Sequence, residues 1–301
     1  MLLRTVEDEF KSQENQLTCR RLFHGRGQVY DGLNFVNIDW YAPIILITLY
    51  QEIESGELKN IAESIFDLSD DIKSVQAQYR FQKLAPIELV CGQSILEHVV
   101  VEDELKYQVE FGKNQNVGLF LDMANARHWV NCNASGKKVL NLFAFTCAFS
   151  VAAIAGGAKH VVNVDNNNGV LNRGKNNHRL NELDKRASSY LKLDILKSFS
   201  RLKKYGPYDL LICDPPSYQV GSVDVKRDYA KVVRRIPQLL SKGGIAMLCL
   251  NSPDLTNDFL MGLVERECPE CQLLDKISPP TVFKEANPDR GLKVFNFRYM
   301  P

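Results

Sequence analysis

The sequence lacks any apolar segment long enough to cross a membrane. Its longest candidate, YAPIILITLY at residues 41–50, is about half of the roughly 20 residues that a spanning helix needs. The N-terminal residues MLLRTVEDEF carry acidic side chains where a secretory signal would carry an apolar core. We therefore expect a cytoplasmic protein that has no membrane partner.

Paired metal ligands are also scarce. Cys268 and Cys271 form one C-x-x-C, but no second Cys or His pair stands at zinc-ligand spacing. The eight cysteines are scattered, and several lie inside apolar runs, as reduced and buried thiols do. We expect no metal and no disulfide framework.

Glycine is missing where nucleotide-binding proteins usually have it. Residues 139–158, VLNLFAFTCAFSVAAIAGGA, have the pattern of a buried strand, a tight turn and a helix, yet no glycine occurs from Asn141 to Val151. Dinucleotide-binding folds use glycines in this turn so that the backbone can approach a pyrophosphate. The loop therefore disfavours a dehydrogenase, and its role has to be judged from the residues around it.

Charge divides the 301 residues into two parts. Residues 1–112 hold 10 Lys and Arg against 19 Asp and Glu, a net charge of −9, whereas residues 113–301 hold 27 against 17, a net charge of +10. The hydrophobic pattern changes in the same region, so we predict an N-terminal α+β domain at 1–112 and a second domain at 113–301. A basic domain favours a polyanionic partner such as RNA, with ordinary solvated surfaces as the alternative.

Strands and helices alternate from about residue 137 onward. The strand-like runs include KVLNLFAF, HVVNVD, SYLKLD, YDLLICD, IAMLCLN and LKVFNFRYM, and RDYAKVVRRIPQLLSKGG between them reads as one helix ended by Gly243-Gly244. Such alternation predicts an α/β fold with a doubly wound, mostly parallel sheet that is covered on both faces.

Acidic residues follow two of these strands. Ligands of open parallel sheets bind beyond the carboxyl ends of the strands. Asp165 follows the first strand by about the 20 residues at which an acid reaches a ribose hydroxyl pair, and Asp194 follows the third strand. Both could instead cap the next helix, although Asn166 to Asn168 could cap in place of Asp165.

The segment DPPSY at residues 214–218 follows the fourth strand. Two prolines fix an extended turn and remove two backbone donors. The carbonyl groups of Asp214 and Pro215 can then accept hydrogen bonds from a planar base, and Tyr218 offers a flat face for stacking. The alternative is an ordinary loop with a surface tyrosine.

Taken together, these features resemble a class I S-adenosylmethionine-dependent methyltransferase. Three segments in particular, NVGLFLDMANARHWV (116–130), LNLFAFTCAF (140–149) and RDYAKVVRRIPQLLSKGG (227–244), resemble the family that methylates bases of large-subunit ribosomal RNA. The resemblance covers about residues 100–301. It implies a Rossmann-like, seven-stranded methyltransferase domain, S-adenosylmethionine as cofactor and RNA as substrate, preceded by a small domain that helps to hold the RNA.

The resemblance also implies roles for individual residues. The implied cofactor residues are Asn141, Phe143, Phe145 and Thr146 on the methionine and ribose side, Asp165 and Asn166 at the ribose, Asp194 at the adenine, Asp214 beside the methyl group, and Asp122 and Arg127 in an element that closes over the cofactor. The implied catalytic residues are Asp214, Pro215, Pro216 and Tyr218.

Two departures from the family pattern affect chemistry. Cys147 stands where the family has glycine, and a left-handed conformation there would cost a residue with a Cβ about 1 kcal/mol. Relatives that methylate carbon 5 of cytosine need a nucleophilic cysteine near the end of the fifth strand, but Asn251 occupies that position and Cys249 lies inside the strand. This arrangement favours a guanine nitrogen over cytosine carbon 5.

The partner surface is the least specific part of the prediction. The candidate phosphate contacts are Lys226, Arg227, Arg234, Arg235 and the cluster of Arg201, Lys203 and Lys204, each with an ordinary solvated side chain as the alternative. Other functions left open are methylation of a protein amide or a small molecule, and RNA binding without catalysis by a chain whose cofactor loop has lapsed. The oligomeric state is also open, with a homodimer as one alternative.

Overall fold

The computed structural model describes residues 1–12, 17–216, 218–219 and 223–301, with the backbone alone at 218, 219 and 223. Two compact units are present: Met1–Asp122 with Pro280–Pro288, and Met123–Pro279 with Asp289–Pro301. In the described residues no helix is both long and apolar enough to span a bilayer.

The first unit mixes short helices with antiparallel strands. Its elements are α1 (Leu2–Lys11), β1 (Arg20–His24), β2 (Val36–Tyr41), β3 (Ile44–Leu49), α2 (Ser55–Phe66), β4 (Ser74–Tyr79), β5 (Ile87–Gly92), β6 (Glu97–Glu102) and β7 (Leu105–Glu110). Strands β1 to β5 form a sheet in sequence order, in which only β3 and β4 pair in parallel, and β6 pairs with β7. An α+β unit is therefore present, as predicted.

The core of this unit explains why its central strands are so apolar. Every residue of β2 and β3 is buried. Helix α1 places Phe10 edge-on against Trp40, with ring centres 5.4 Å apart. Amphipathic spacing in α1 buries Leu2, Val6 and Phe10 on one face, which is the pattern expected of a helix that covers a sheet.

The first unit extends beyond the predicted division at residues 112/113. The Tyr41 hydroxyl donates to the Leu119 carbonyl over 3.2 Å, and the Ala286 backbone N–H donates to the Gly27 carbonyl over 2.7 Å. These bonds tie residues 113–122 and 280–288 to the sheet of the first unit. The change in net charge does not coincide with this boundary, because the bonds that hold residues 113–122 and 280–288 in the first unit come from uncharged backbone and hydroxyl groups.

The second unit contains the alternating elements. They are α3 (Ala124–Asn133), β8 (Lys138–Leu142), α4 (Ala148–Ala155), β9 (His160–Asp165), α5 (Asn168–Leu180), β10 (Ser188–Lys192), α6 (Phe199–Tyr205), β11 (Tyr208–Cys213), β12 (Tyr218–Gln219), β13 (Val223–Asp224), α7 (Val225–Val233), α8 (Ile236–Leu239), β14 (Leu240–Leu250), α9 (Asn257–Glu267), β15 (Cys271–Lys276) and β16 (Lys293–Tyr299).

A seven-stranded sheet organises this unit. Its order is β10-β9-β8-β11-β14-β16-β15, with the first five strands parallel and β16 antiparallel to both neighbours. The predicted Rossmann-like α/β class is confirmed. Sequence patterning missed β15, because an edge strand that leaves Gln272, Leu273 and Leu274 exposed shows neither a buried run nor a clean alternation.

The predicted single helix over 227–244 was wrong in its second half. Helix α7 ends at Val233, and a single turn, α8, follows it with Pro237 at its start. Proline fits the first turn of a helix but not its interior, so the chain divides there. Gly243, at φ 78°, lies within β14 where the pairing with β11 is interrupted, and it does not end a helix.

Glycine at position 156 allows α3 and α4 to approach closely. A Cβ built on Gly156 would lie 1.9 Å from the Asn131 carbonyl oxygen of α3. Gly262 lies inside α9, and no heavy atom within 4 Å would meet a Cβ there. Gly156 is therefore needed for the close packing of α3 and α4, whereas the space around Gly262 would admit a side chain.

We predict opposite effects of alanine at these two positions. Gly156→Ala should lower the free energy of unfolding by about 1–3 kcal/mol, because the backbone of α3 has to shift. Gly262→Ala should raise it by about 0.5–1 kcal/mol, because alanine is the better helix former. Urea unfolding of the two variants measures both changes, and equal effects would contradict the packing argument.

Candidate functional site

The site residues predicted from strand ends lie at one edge of the seven-stranded sheet. Strands β8, β9, β10, β11 and β14 run in parallel, so their carboxyl ends share this edge, which we call the carboxyl edge. It is bordered by the residues that follow these strands: Phe143–Cys147, Asp165, Asp194, Asp214–Pro216 and Asn251.

The loop after β8 has an unusual backbone. Phe143, Phe145 and Cys147 have φ angles of 56°, 46° and 59°, so three residues with side chains adopt the left-handed region within five positions. Each such residue costs about 1 kcal/mol or more, and strain of this kind concentrates at functional sites. Phe143 and Phe145 are half-buried, whereas Thr146 and Cys147 are buried.

The carboxylate of Asp165 holds this loop in place. Its Oδ2 accepts the Phe145 backbone N–H over 3.0 Å, and its Oδ1 accepts the Asn167 backbone N–H over 2.9 Å. Burial raises the pKa of the Asp165 carboxyl, and these backbone donors act in the opposite direction. Asn167, not Asp165, caps α5, since its side chain accepts the Gly169 N–H over 2.8 Å.

A chain of buried polar side chains lies beneath the loop. Asn141 donates to Asn163 over 2.9 Å, and Asn163 donates to the Ser150 hydroxyl over 3.0 Å. Ser150 lies 3.0 Å from Nε2 of His178, whose Nδ1 lies 2.8 Å from the Gly174 carbonyl. A carbonyl can only accept, so Nδ1 carries the proton and Nε2 accepts from Ser150. Burial lowers the pKa of His178, in agreement with a neutral ring.

Cys147 fits its left-handed position because of a glycine in α5. A Cβ built on Gly174 would lie 2.4 Å from Sγ and 2.8 Å from Cβ of Cys147. The thiol therefore occupies the space that a side chain at position 174 would need. Asn177, on the same helix, donates to the Thr146 carbonyl over 3.0 Å and fixes the loop from below.

The other predicted acids differ in exposure. Asp194 is exposed and pairs with Lys197 over 3.3 Å, and its side chain makes no helix-capping bond. Asp214 is half-buried, Pro215 is buried and Pro216 is exposed. Tyr218 lies in the two-residue strand β12, and its side chain is outside the described residues, so its predicted stacking role stays a prediction.

Sequence reasoning missed Tyr229 of α7. Its side chain is 2% exposed. Its hydroxyl lies 2.8 Å from the Cys249 carbonyl and 3.2 Å from the Cys213 carbonyl, so it bridges the next-to-last residue of β14 and the last residue of β11. Burial raises the pKa of this hydroxyl, which keeps it a donor. The helical spacing of RDYAKVV predicts a buried tyrosine, but nothing in the sequence indicates which carbonyls it meets.

The predicted cysteine and asparagine of β14 lie as expected from the sequence. Cys249 is fully buried within the strand, whereas Asn251 follows its last residue and is exposed. Tyr229 contacts the backbone carbonyl of Cys249, and the surrounding core buries the Cys249 thiol.

Asp122 and Arg127 belong to different compact units. Asp122 closes the first unit on a short 3-10 turn and is half-buried. Arg127 lies on α3 in the second unit and is 4% exposed. Asn166, which follows Asp165, is exposed.

The predicted RNA contacts are largely engaged within the protein. Arg227 binds the buried Asp228 carboxylate over 2.9 Å and 3.1 Å, and this bond lowers the pKa of Asp228. Arg234 binds Glu267 over 2.6 Å. Arg235 lies over the Phe199 ring at 5.7 Å, and Lys226 is exposed. Only these placements are observed, so phosphate binding by the four residues stays a prediction.

The C-x-x-C is a close pair of buried thiols. The Sγ atoms of Cys268 and Cys271 are 3.3 Å apart. Among the described residues no group of three or more His, Cys, Asp or Glu side chains is arranged to hold a metal ion.

Comparison with known proteins identifies the fold at the level of a family. The profile of a family described as S-adenosylmethionine-dependent methyltransferase matches residues 20–298. The crystal structure of SMU.776, a candidate methyltransferase in complex with SAH, has a TM-score of 0.89 at 26% identity and covers 99% of this chain and 80% of its own.

Two named relatives match by sequence. YwbD of Bacillus subtilis, named as a candidate ribosomal RNA large subunit methyltransferase, is 29% identical over 290 residues, or 91% of this chain and 72% of that protein. Ribosomal RNA large subunit methyltransferase K/L of Psychrobacter is 33% identical over 203 residues, or 65% of this chain and 24% of that protein. The strand order, the carboxyl edge and the profile over residues 20–298 agree, and the chain belongs to the S-adenosylmethionine-dependent methyltransferase family.

Proposed function

We propose that the carboxyl edge binds S-adenosylmethionine and that the chain uses it to methylate a base of ribosomal RNA. When bound, this cofactor supplies a methyl group on a positively charged sulfonium. The single observation that carries the proposal is the strained loop after β8, fixed by Asp165 at the edge where this fold binds its ligand.

The residues present suit a sulfonium nucleoside better than a dinucleotide. The edge carries Asp165, Asp194 and Asp214, which would repel a pyrophosphate and favour a cationic sulfur. The aromatic side chains of Phe143 and Phe145 are half-buried beside the loop, and no glycine provides the close backbone approach that a pyrophosphate needs.

Asp165 is the proposed ribose ligand. Its oxygens accept the backbone N–H groups of Phe145 and Asn167, and Asn166 is a further backbone donor. A carboxylate offers about four lone-pair positions, so acceptor capacity remains for a ribose hydroxyl. The bond from Phe145 fixes the carboxylate relative to the loop. Asp194 is proposed to accept the adenine amino group, since it is exposed and makes no capping bond.

Asp214, Pro215 and Pro216 are proposed to hold the target base. The prolines contribute no N–H group of their own that would compete for the carbonyl groups before them. Tyr229 supports this turn, because its hydroxyl joins the Cys213 carbonyl, immediately before Asp214, to the Cys249 carbonyl, two residues before Asn251. We assign Tyr229 a positioning role, and Tyr218 a stacking role on the extruded base.

RNA as the substrate rests on the relatives, two of which are named as methyltransferases of large-subunit ribosomal RNA. The chain spans 72% of one and 24% of the other, so activity and substrate are proposals for this chain. The buried position of Cys249 favours a guanine nitrogen, because methylation of cytosine carbon 5 needs an accessible thiolate.

We also propose a cytoplasmic location. The described part of the chain contains no disulfide among the eight cysteines, which suits a reducing compartment. A homodimer stays a prediction.

Replacing Asp165 should weaken cofactor binding. Asp165→Asn removes the charge and leaves one acceptor, so we expect S-adenosylmethionine affinity to fall about 10- to 100-fold. Calorimetry measures this affinity, and the control variant is Asp258→Asn, which replaces an exposed acid of α9. An unchanged affinity in Asp165→Asn would contradict the ribose assignment, and no binding heat in the wild type would favour the lapsed-loop alternative.

The base and atom can be tested with ribosomal RNA from cells with and without the gene. Nucleoside mass spectrometry should show loss of one methylated guanine, restored by the wild type and by Cys249→Ala but not by Asp214→Ala. Loss of methyl transfer in Cys249→Ala with normal cofactor binding, together with a missing 5-methylcytosine, would instead establish the cytosine alternative.

The Cys147–Gly174 contact predicts a rescue. Gly174→Ala should lower the free energy of unfolding by about 1–3 kcal/mol and weaken cofactor binding, because the loop must move away from α5. Adding Cys147→Gly should restore both properties, since it removes the Sγ and Cβ that collide. Asn172→Ala, on the exposed face of α5, is the control. A double variant no better than Gly174→Ala would refute the steric explanation.

A further inference from the structure

The opposite edge of the parallel sheet is strongly basic. The segments around the amino ends of β8, β9, β10, β11 and β14, including the last turn of α6 and the first residues of β8 and β14, carry eight cations: Lys137, Lys138, Lys159, Lys185, Arg186, Lys203, Lys204 and Lys242. We call this set the basic edge. The same segments carry three carboxylates, those of Glu182, Asp184 and Asp209.

The negative C-terminal ends of helices offset only part of this positive charge. Helices α3, α4, α5 and α6 end where these segments begin, and a helix C-terminus carries about −0.5 of an elementary charge. Four ends therefore amount to about −2 charges. The eight cations outnumber the three carboxylates by five, so a positive excess remains after the helix ends are offset.

Part of the basic edge surrounds an open cavity of about 570 Å³. Lys138, Lys159 and Lys204 line it, and in the described part of the chain none of their ammonium groups is in an ion pair. Lys138 lies 5.8 Å from the centre of the Tyr208 ring. Three positive groups thus converge on one concavity without a carboxylate partner.

The remaining polar groups of the cavity are held by the protein. Of the residues that the structure describes, Asp209 is the one carboxylate that lines it, and its two oxygens accept from the Lys138 backbone N–H over 2.9 Å and the Ser241 hydroxyl over 3.0 Å. His160 lies 3.1 Å from the Arg186 carbonyl and 2.9 Å from the Ser189 hydroxyl. These bonds fix the walls and leave the lysine ammonium groups as the available donors.

The carboxyl edge carries mostly acids. Asp165, Asp194 and Asp214 border it, with Asp254 just beyond β14, and Lys197 pairs with Asp194 over 3.3 Å. Acids at this edge suit a cationic cofactor, but they repel the phosphates of a nucleic acid. A polyanionic substrate that presents a base here therefore needs its favourable electrostatic contacts elsewhere on the protein.

We propose that the basic edge is a second RNA-contact surface, in which Lys138, Lys159 and Lys204 bind backbone phosphates. The choice of RNA as the ligand rests on the proposed function, but the proposal uses none of the residues of the carboxyl edge. Phosphate contacts of this kind position an RNA without reading its sequence. The surface would therefore supply affinity, while the carboxyl edge selects the base.

The test compares two triple variants with equal loss of charge. One is Lys138→Gln, Lys159→Gln and Lys204→Gln; the control is Lys175→Gln, Lys192→Gln and Lys276→Gln, exposed lysines of the second unit outside the basic edge. Filter binding to a transcript of large-subunit ribosomal RNA measures affinity between about 50 and 300 mM salt. We expect about a 10-fold loss at about 150 mM and a salt slope smaller by about 2 for the first variant, and little change for the control.

The other measurements separate this inference from the proposed function. Calorimetry with S-adenosylmethionine should give wild-type binding for both variants, which shows that the carboxyl edge is intact. Equal RNA affinity in the first variant and the wild type would overturn the inference alone. Loss of tripolyphosphate binding without loss of RNA binding would also overturn it, in favour of a small anion. A wild-type chain that binds the cofactor but no RNA would overturn both proposals.

Discussion

The hydrogen bond from the Phe145 N–H to the Asp165 carboxylate, 3.0 Å long, sets the geometry of the carboxyl edge. It joins the loop after β8 to the end of β9, the neighbouring strand. The loop contains three residues in the left-handed region, a conformation that would relax without external support. A carboxylate with both oxygens bound by backbone groups provides that support and fixes its own orientation at the same time.

The polar chain beneath the loop makes this arrangement rigid. Asn141, Asn163, Ser150 and His178 are buried, and each donates to the next acceptor until the Gly174 carbonyl ends the series. A buried network of this kind is favourable only when every member is satisfied. The direction of these bonds requires a neutral His178. Strands β8 and β9 and helices α4 and α5 are therefore joined by one set of hydrogen bonds that forms in a single protonation state of His178.

Much of the fold could be predicted from the sequence because buried parallel strands read as continuous apolar runs. The segments before Asp165 and Asp214 show this, and the two acids lie at the predicted edge. The edge strand β15 could not be predicted, since half-exposed strands lack that signal. The contacts of Tyr229 and the contact between Cys147 and Gly174 could not be predicted either. Contacts of α7 and α5 with the strand ends depend on tertiary packing that one sequence does not encode locally.

The contact between Cys147 and Gly174 restricts the order in which the two positions can vary during evolution. A cysteine at 147 is compatible with the fold only while 174 is glycine, since a Cβ there would lie 2.4 Å from its sulfur. A glycine at 147 removes the two closest of these contacts and leaves the Thr146 carbonyl, at 3.3 Å, as the atom that a Cβ at 174 would meet. A lineage that acquires a larger residue at 174 first therefore has no direct single-step route to Cys147, and relatives with Cys147 should retain the helix glycine.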